Sequence, residues 1–222
     1  MPADEQLETR GTLQARTPSQ TVGPFFHYAL PWKGGGDLTG ASALGARPEL
    51  FPSDHDLLRS GESHRPPIGE QIEIAGRITD GHRQPVADAL IEIWQANATG
   101  RYSSPGDEQD KPLDPNFIGF GRSCSDETGE FRLRTIRPGR VPGPGNRLQA
   151  PHLAVSLLGR GLLRRLATRI YFDGEPANVD DPILELVPAD RRATLIAKSE
   201  GVGRWRFDIA LQGDDETVFF DL

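Results

Sequence analysis

The chain has 222 residues, a formal net charge of −7 and a single cysteine. An acidic balance of this size argues against a nucleic-acid-binding surface, which needs a basic stripe. One cysteine cannot form an internal disulfide, and the polar first sixteen residues contain no apolar signal-peptide core. The sequence therefore predicts a cytoplasmic protein, built as one domain because β-rich domains of this length are often undivided.

The first part of the chain is predicted to be irregular. Residues 1–16 are polar and predict a flexible N-terminus. Residues 17–32 combine Pro and Gly with large aromatic side chains, which indicates a rigid arm that covers either its own domain or a partner. Residues 33–69 are rich in Gly, Pro and charge and predict a surface loop with at most one helical turn, near Asp54–Leu58.

Short runs of alternating apolar and polar residues then predict strands separated by Gly and Pro turns. The segments are 69–80, 86–97, 130–136, 152–159, 167–172, 205–212 and 217–222. Two further segments, 181–187 and 189–197, have helical spacing, and Asp181 before Pro182 fits the start of a helix. We predict an all-β fold, an antiparallel β-sandwich with an N-terminal arm and one or two short helices, in which residues 17–222 form a single domain.

The strand that begins at His152 is informative about metal binding. Residues two apart on a strand point to the same face, so a second histidine at position 154 would complete a chelating pair. The residue there is Ala154. The other histidines have no chelating spacing, so the residues alone do not predict a zinc site.

Several blocks of the sequence resemble the intradiol ring-cleaving dioxygenases in their order and rough spacing. The main blocks are WQANATGRY at 94–102, DPNFIGFGRS at 114–123, TGEFRLRTIRPGRVPG at 128–143 and APHLAVS at 150–156. Together with further blocks, the resemblance extends from Thr17 to Leu222. It implies the dioxygenase fold and a relation to ring-cleaving chemistry.

The same resemblance locates the positions at which iron-binding members of this family carry their ligands. Those members hold ferric iron with two tyrosines and two histidines, and the matching positions here are Tyr102, Val141, His152 and Ala154. Valine and alanine side chains have no donor atom, and metal affinity depends on the number and type of ligands. We therefore interpret the four positions as a vestigial site and predict that this chain binds no metal. A buried histidine with a tyrosine beside it is otherwise an ordinary hydrogen-bonded core pair.

The resemblance implies that the chain is the metal-free alpha subunit of a heteromeric member of the family. In such an enzyme a homologous beta subunit binds Fe³⁺, and alpha–beta pairs cleave the ring of a small aromatic acid. The resemblance also implies that Thr21, Pro24, Phe25 and Arg160 form part of the substrate pocket wall at the subunit boundary.

Alternatives to this interpretation stay open at the level of sequence. One is a self-sufficient metalloenzyme that uses Tyr102 and His152 with further ligands. Another is a non-catalytic β-sandwich binding module, which only the predicted fold suggests. For Arg160 the simpler alternative is a surface arginine paired with an acid.

A dense basic patch follows the strand that begins at His152. It consists of Arg160, Arg164, Arg165 and Arg169. Because the chain as a whole is acidic, we interpret this patch as a contact for carboxylates or for another subunit.

Overall fold

The computed structural model describes residues 57–59 and 65–221, and the structural statements below refer to this part of the chain. The predicted N-terminus (1–16), the predicted arm (17–32) and most of the predicted loop (33–69) lie outside it. At its start, Leu57–Arg59 form one 3-10 turn, in agreement with the turn predicted near Asp54–Leu58.

The described chain forms eleven strands. They are β1 Gln71–Thr79, β2 Leu90–Trp94, β3 Phe120–Cys124, β4 Glu130–Ile136, β5 Val141–Pro142, β6 Leu148–Gln149, β7 Leu153–Leu158, β8 Leu166–Phe172, β9 Ile196–Gly201, β10 Arg204–Arg206 and β11 Ile209–Ala210. Further 3-10 turns lie at Pro144–Asn146, Pro176–Asp180, Leu184–Leu186 and Arg192–Leu195. The predicted all-β class is confirmed.

Nine of these strands form one hydrogen-bonded sheet. Eight of them follow the order β11-β1-β10-β9-β8-β7-β2-β3, and the ninth, β4, pairs with β1. The ladders between β3, β2, β7 and β8 are antiparallel. The ladders β1–β10, β1–β11 and β8–β9 are parallel. The sequence pattern does not distinguish the two kinds of pairing, because side chains alternate with a period of two in both.

The core follows this alternation. In β1 every second residue is buried, including Ile72, Ile74 and Ile78, and Leu133 of the neighbouring β4 is fully buried. A second, smaller cluster lies beside it and contains Ala150, Tyr171, Leu184, Val187 and Leu195. This second cluster supports the site described below.

The two segments predicted to be helical form only short turns. Within 181–187 the turn is Leu184–Leu186, and within 189–197 it is Arg192–Leu195, after which Ile196 opens β9. The predicted cap at Asp181 is wrong, because Ile183 occupies the cap position of the turn, although the side chain of Asp181 accepts the backbone N–H groups of Ile183 and Leu184. In the part of the chain that the structure describes, no helix has the length and apolar character of a membrane span.

The predicted strand at 217–222 is wrong for its described residues. The backbone N–H of Thr217 donates to the carbonyl of Ala210, whereas the N–H of Phe220 donates to the carbonyl of Ala167. The segment thus crosses from β11 to β8 and pairs with neither over its length. The alternation of apolar and polar residues in this segment reflects side chains that pack on the main core and on the second, smaller cluster.

Candidate functional site

Of the four positions of the vestigial site, Ala154 lies in the β2–β7–β8 ladder, whereas Val141 lies in the separate β5–β6 pair. Ala154 lies in β7 directly opposite Trp94 of β2. The ring of Tyr102, in the loop after β2, stacks on Trp94 with ring centroids 5.7 Å apart and planes inclined by 11°. Trp94 therefore links the position of Tyr102 to that of Ala154.

His152 immediately precedes β7 and is only 4% exposed. Its Nδ1 lies 2.7 Å from the carbonyl oxygen of Ala150, and because a carbonyl can only accept, Nδ1 carries the proton. Burial lowers the pKa of His152 to about 4, and the positive charge of Arg169 acts in the same direction. The imidazole is therefore neutral at neutral pH with its lone pair on Nε2, which is the arrangement found in histidines that bind metals.

Tyr102 is held in its protonated form. Burial raises the pKa of its phenol, and the negative charge of Asp107 adds to this effect, although the positive charge of Arg169 opposes it. The backbone N–H of Tyr102 donates to Oδ2 of Asp107 at 2.7 Å, which fixes the loop. A tyrosine must lose its proton to bind a metal, so this environment favours packing over ligation.

The two positions without donor atoms are joined by a polar bridge. Val141, which is 3% exposed, lies in β5 opposite Gln149 of β6. Ala154 lies in β7 opposite Arg169 of β8. Nη1 of Arg169 donates to Oε1 of Gln149 at 2.6 Å. Each donor-free residue thus has a cross-strand partner, and these two partners bind each other.

Arg169 is the functional residue that sequence reasoning missed. Its Nη1 also donates to the hydroxyl of Tyr171 at 3.2 Å, and its charge acts on both Tyr102 and His152. The sequence grouped it with Arg160, Arg164 and Arg165 as a contact patch, but it binds Gln149 and Tyr171 and lines the cavity beside Ala154. Its position opposite Ala154 would have identified it, but a single sequence does not specify which residues of two strands face each other.

Asp181 completes the polar network around the vestigial site. It is fully buried and accepts four hydrogen bonds, from the hydroxyl of Tyr171 at 3.2 Å and from the backbone N–H groups of Ala150, Ile183 and Leu184 at 2.6, 2.8 and 2.8 Å. Ala150 is also the residue that accepts from His152. Asp181 therefore links the surroundings of His152, through Ala150, to those of Arg169, through Tyr171.

A cavity of about 550 Å³ opens beside these residues. Trp94, Ala154 and Arg169 line the side next to the vestigial site, and Phe120 and Phe220 contribute aromatic surface. Of the four vestigial positions, Ala154 is the one that lines this cavity, while Val141 and His152 are buried.

Arg160 lies elsewhere, in the turn that joins β7 to β8. Its guanidinium is paired with the carboxylate of Asp88, and its side chain is 63% exposed. The described chain thus shows the pairing that the simpler alternative expects, while a role at a subunit boundary stays a prediction. Thr21, Pro24 and Phe25 lie outside the described residues.

Comparison with known proteins places this site in a family. A family model described as "Dioxygenase" matches residues 46–213. The chain is 39% identical over 219 residues to the protocatechuate 3,4-dioxygenase alpha chain of Burkholderia cepacia, which covers 95% of this chain and 100% of that protein. The chain belongs to the intradiol dioxygenase family.

Two further relatives of this family extend the comparison. The protocatechuate 3,4-dioxygenase beta chain of Burkholderia cepacia is 40% identical over 178 residues, covering 76% of each protein. Among solved structures, the dioxygenase domain of a carbohydrate-binding fusion from Streptomyces sp. SirexAA-E has a TM-score of 0.52 and 26% identity, over 74% of this chain and 88% of that one. The strand framework described above is therefore shared with intradiol dioxygenases.

The intradiol dioxygenase family uses Fe³⁺, and the residues of this chain do not fit that ion. Val141 and Ala154 have no donor atom, and the positive charge of Arg169 lowers the pKa of both remaining candidates, Tyr102 and His152. Within residues 57–59 and 65–221, no group of three or more His, Cys, Asp or Glu side chains is placed to hold a metal. A hard trivalent cation needs several donors, and two of the four positions have none.

Proposed function

We propose that this chain is the metal-free alpha subunit of a protocatechuate 3,4-dioxygenase. The complete enzyme converts 3,4-dihydroxybenzoate and O₂ to 3-carboxy-cis,cis-muconate, and its Fe³⁺ is bound by a homologous beta subunit. The observation that supports the proposal is the lack of a donor atom in Val141 and Ala154, whose cross-strand partners Gln149 and Arg169 bind each other.

Overall identity does not separate an alpha role from a beta role. The chain is 39% identical to an alpha chain and 40% identical to a beta chain of the same organism. Coverage favours the alpha chain, since the alignment with the alpha chain covers 95% of this chain and the alignment with the beta chain covers 76%. The chemistry of the vestigial site supports the same choice, because an iron-binding subunit needs donors at positions 141 and 154.

In this proposal the chain contributes structure and part of the substrate pocket. Arg160 binds the carboxylate of the substrate, while Thr21, Pro24 and Phe25 add a hydroxyl donor and shape to the same wall. A charge-assisted hydrogen bond to a carboxylate orients the ring, and such positioning lowers a barrier without chemistry of its own. Exposed ion pairs contribute little stability, so Arg160 can leave Asp88 for the substrate at low cost.

The remaining parts of the proposal concern organisation and location. In this proposal residues 17–222 form one domain, while the arm at 17–32 and the N-terminus at 1–16 stay predictions from the sequence that lie outside the described residues. The chain assembles in alpha–beta pairs in the cytoplasm. The single cysteine supports a reducing compartment.

The test is to produce this chain alone, the homologous beta chain of the same genome alone, and both together. We expect the single chain to be colourless, free of iron by mass spectrometry, and inactive toward 3,4-dihydroxybenzoate. The co-expressed chains are expected to co-purify, with iron equimolar to the beta chain and with O₂ uptake on substrate.

Two other outcomes would each support a different function. Equimolar iron, a visible absorption band and turnover in the single chain would establish a self-sufficient metalloenzyme based on Tyr102 and His152. A beta chain that is fully active alone and does not bind this chain would favour the binding module.

A further inference from the structure

The cavity beside Ala154 has a floor of small side chains. Ala154 and Ser156 lie two apart in the middle strand β7, and Ala167 of β8 lies opposite Ser156. Residues two apart on a strand share a face, and so do residues directly opposite each other in an antiparallel pair. All three therefore line the cavity from one face of the sheet, and it exists because these positions carry small groups.

Large side chains border this floor in one cross-strand row. Phe120 of β3 pairs with Trp94 of β2, and Trp94 pairs with Ala154. On its other side Ala154 pairs with Arg169 of β8, and all four residues line the cavity. Neighbouring strands are about 4.7–4.9 Å apart, so the backbones that carry Trp94 and Arg169 are about 10 Å apart. Only the methyl group of Ala154 lies between them in this row, with two aromatic rings on one side and a guanidinium on the other.

The acidic groups at the cavity are already neutralised. In the described part of the chain two acidic side chains line it, Glu92 and Asp221. Glu92 is paired with Arg122 at 2.9 Å, and Asp221 with Arg164 at 3.3 Å. Both arginines lie outside the described lining, so the acids bring no uncompensated negative charge to the cavity.

Arg169 is held in place by neutral groups. Its Nη1 donates to Oε1 of Gln149 at 2.6 Å and to the hydroxyl of Tyr171 at 3.2 Å, and its Cζ lies 5.9 Å from the ring centroid of Phe220. A guanidinium has five N–H donors in one rigid plane, and two parallel donors match a carboxylate. The donors on Nε and Nη2 therefore remain for an anion, on a side chain that is already oriented.

We propose that this cavity is a binding site for a small aromatic carboxylate and that it works without iron. The carboxylate binds Arg169, and the ring lies over Ala154 against Trp94 and Phe120. The volume of about 550 Å³ suits such a ligand, because small-molecule pockets measure about 300–1,000 Å³ and combine apolar walls with a few polar groups that fix orientation. Every group that forms the site belongs to this chain, so the inference does not rest on the alpha-subunit role.

The test is isothermal titration calorimetry of the full-length chain with three probes. Benzoate has both the ring and the carboxylate, benzyl alcohol keeps the ring without the charge, and acetate keeps the charge without the ring. We expect one benzoate site per chain, with an affinity at least about tenfold above that for either of the other probes.

Four variants locate the site, and near-ultraviolet circular dichroism verifies that each is folded. Arg169→Gln should weaken benzoate binding at least about tenfold, and Arg169→Lys, which keeps the charge, should recover part of this loss. Ala154→Leu should abolish binding, because it fills the gap while leaving the bonds of Arg169 in place. The matched control is Arg204→Gln, at an exposed arginine of β10 outside the cavity, and it should bind like the wild type.

Three results would overturn the proposal. They are no saturable benzoate binding by the folded wild type up to about 10 mM, unchanged affinity in folded Ala154→Leu, and equal affinity for acetate. If Arg169→Gln does not fold, Ala154→Leu decides alone, since the side chain of Ala154 takes no part in hydrogen bonding.

The co-expressed heteromer provides a second measurement. Ala154→Leu is expected to remove one benzoate site per alpha–beta pair, as counted by equilibrium dialysis. An unchanged number of sites would show that the cavity is not accessible in the assembly and would overturn the proposal. These measurements do not involve iron or turnover, so their failure is distinguishable from failure of the proposed function.

Discussion

The two halves of the vestigial site are held by different interactions. Tyr102 and His152 are fixed by packing, through a ring stacked on Trp94 and a hydrogen bond to the carbonyl of Ala150. Val141 and Ala154 are positioned by strand register, and their cross-strand partners Gln149 and Arg169 bind each other. The comparison shows that two potential ligands are held in place by ordinary packing and hydrogen bonding, whereas the positions without donors depend on strand register.

The two halves meet at one buried carboxylate. Asp181 binds the backbone of Ala150, which orients His152, and the hydroxyl of Tyr171, which contacts Arg169. Changes at Asp181 are therefore expected to disturb both halves, whereas changes at the single positions should disturb one.

The largest expected effect is that of Asp181→Ala. The substitution leaves three backbone N–H groups and one hydroxyl without an acceptor in a buried place. Removing one partner of a buried charged network costs about 3–5 kcal/mol, so we expect a loss of this size in the free energy of unfolding, measured with urea. The exposed neighbour Asp180 provides the control, because Asp180→Ala keeps the backbone carbonyl that binds Arg147. A loss no greater than that of the control would show that the two halves are not joined at Asp181.

Part of this arrangement could be predicted from the sequence and part could not. Strands β1 and β4 match their predicted segments closely, because alternation in the sequence directly encodes which side chains are buried. The vestigial positions were found through motif blocks, and the structure brings them together. The role of Arg169 depends on the register between β7 and β8 and on Gln149 from a third strand. Such pairing is a property of the folded sheet, which local patterns do not specify.

The segments after β8 show the same limit. The pattern of 189–197 is helical, yet its last residues enter β9, because a parallel partner in β8 is available only in the folded molecule. Tertiary hydrogen bonds here outweigh a weak local preference. In the same way, the register of β7 and β8, and not the basic patch in the sequence, determines where Arg169 acts.

The second prediction isolates the half of the site that depends on packing. The pKa of His152 is about 4 in the folded chain, against about 6.5 for an unperturbed histidine. Since the folded state binds this proton less well, the stability from neutral His152 is fully present above about pH 6.5 and is lost as the pH falls towards 4. At about 1.4 kcal/mol per pKa unit, the loss approaches about 3 kcal/mol.

The measurement compares urea unfolding at pH 7 and near pH 4 for the wild type and for His152→Gln. We expect the wild type to lose about 3 kcal/mol more than the variant over this interval, because glutamine does not titrate. The exposed His82 serves as control, and His82→Gln should follow the wild type. Parallel losses in all three proteins would show that His152 is not buried in its neutral form.

The third prediction contrasts the two arginines at opposite ends of the β7–β8 hairpin. Arg160 in the connecting turn is proposed to meet the substrate carboxylate, whereas Arg169 is committed to Gln149. A charge-assisted hydrogen bond at a partly desolvated boundary contributes about 1.5–3 kcal/mol. Arg160→Ala in the heteromer should therefore raise KM for 3,4-dihydroxybenzoate roughly ten- to a hundredfold.

Plain catechol is the control substrate for this variant, because it has no carboxylate to lose. Its KM should scarcely change, and iron in the beta subunit should stay bound. An equal loss with both substrates, or a loss confined to kcat, would assign Arg160 to the interface through its pair with Asp88. Unchanged kinetics in an intact heteromer would remove it from the pocket.

The smallest effect is expected from Tyr102→Phe, which tests whether the retained phenol has any function beyond packing. The substitution keeps the ring that stacks on Trp94 and removes only the hydroxyl, so the free energy of unfolding should fall by at most about 1 kcal/mol. Activity and iron content of the heteromer should be unchanged, because burial raises the pKa of the phenol and keeps it protonated, and iron is proposed to be bound by the beta subunit. Tyr102→Leu, which removes the aromatic ring and the stack, should cost clearly more stability while leaving activity intact. If Tyr102→Phe instead abolished turnover or removed iron, the phenol would be a working ligand, and the half of the site that we assign to packing would have to be reassigned to catalysis.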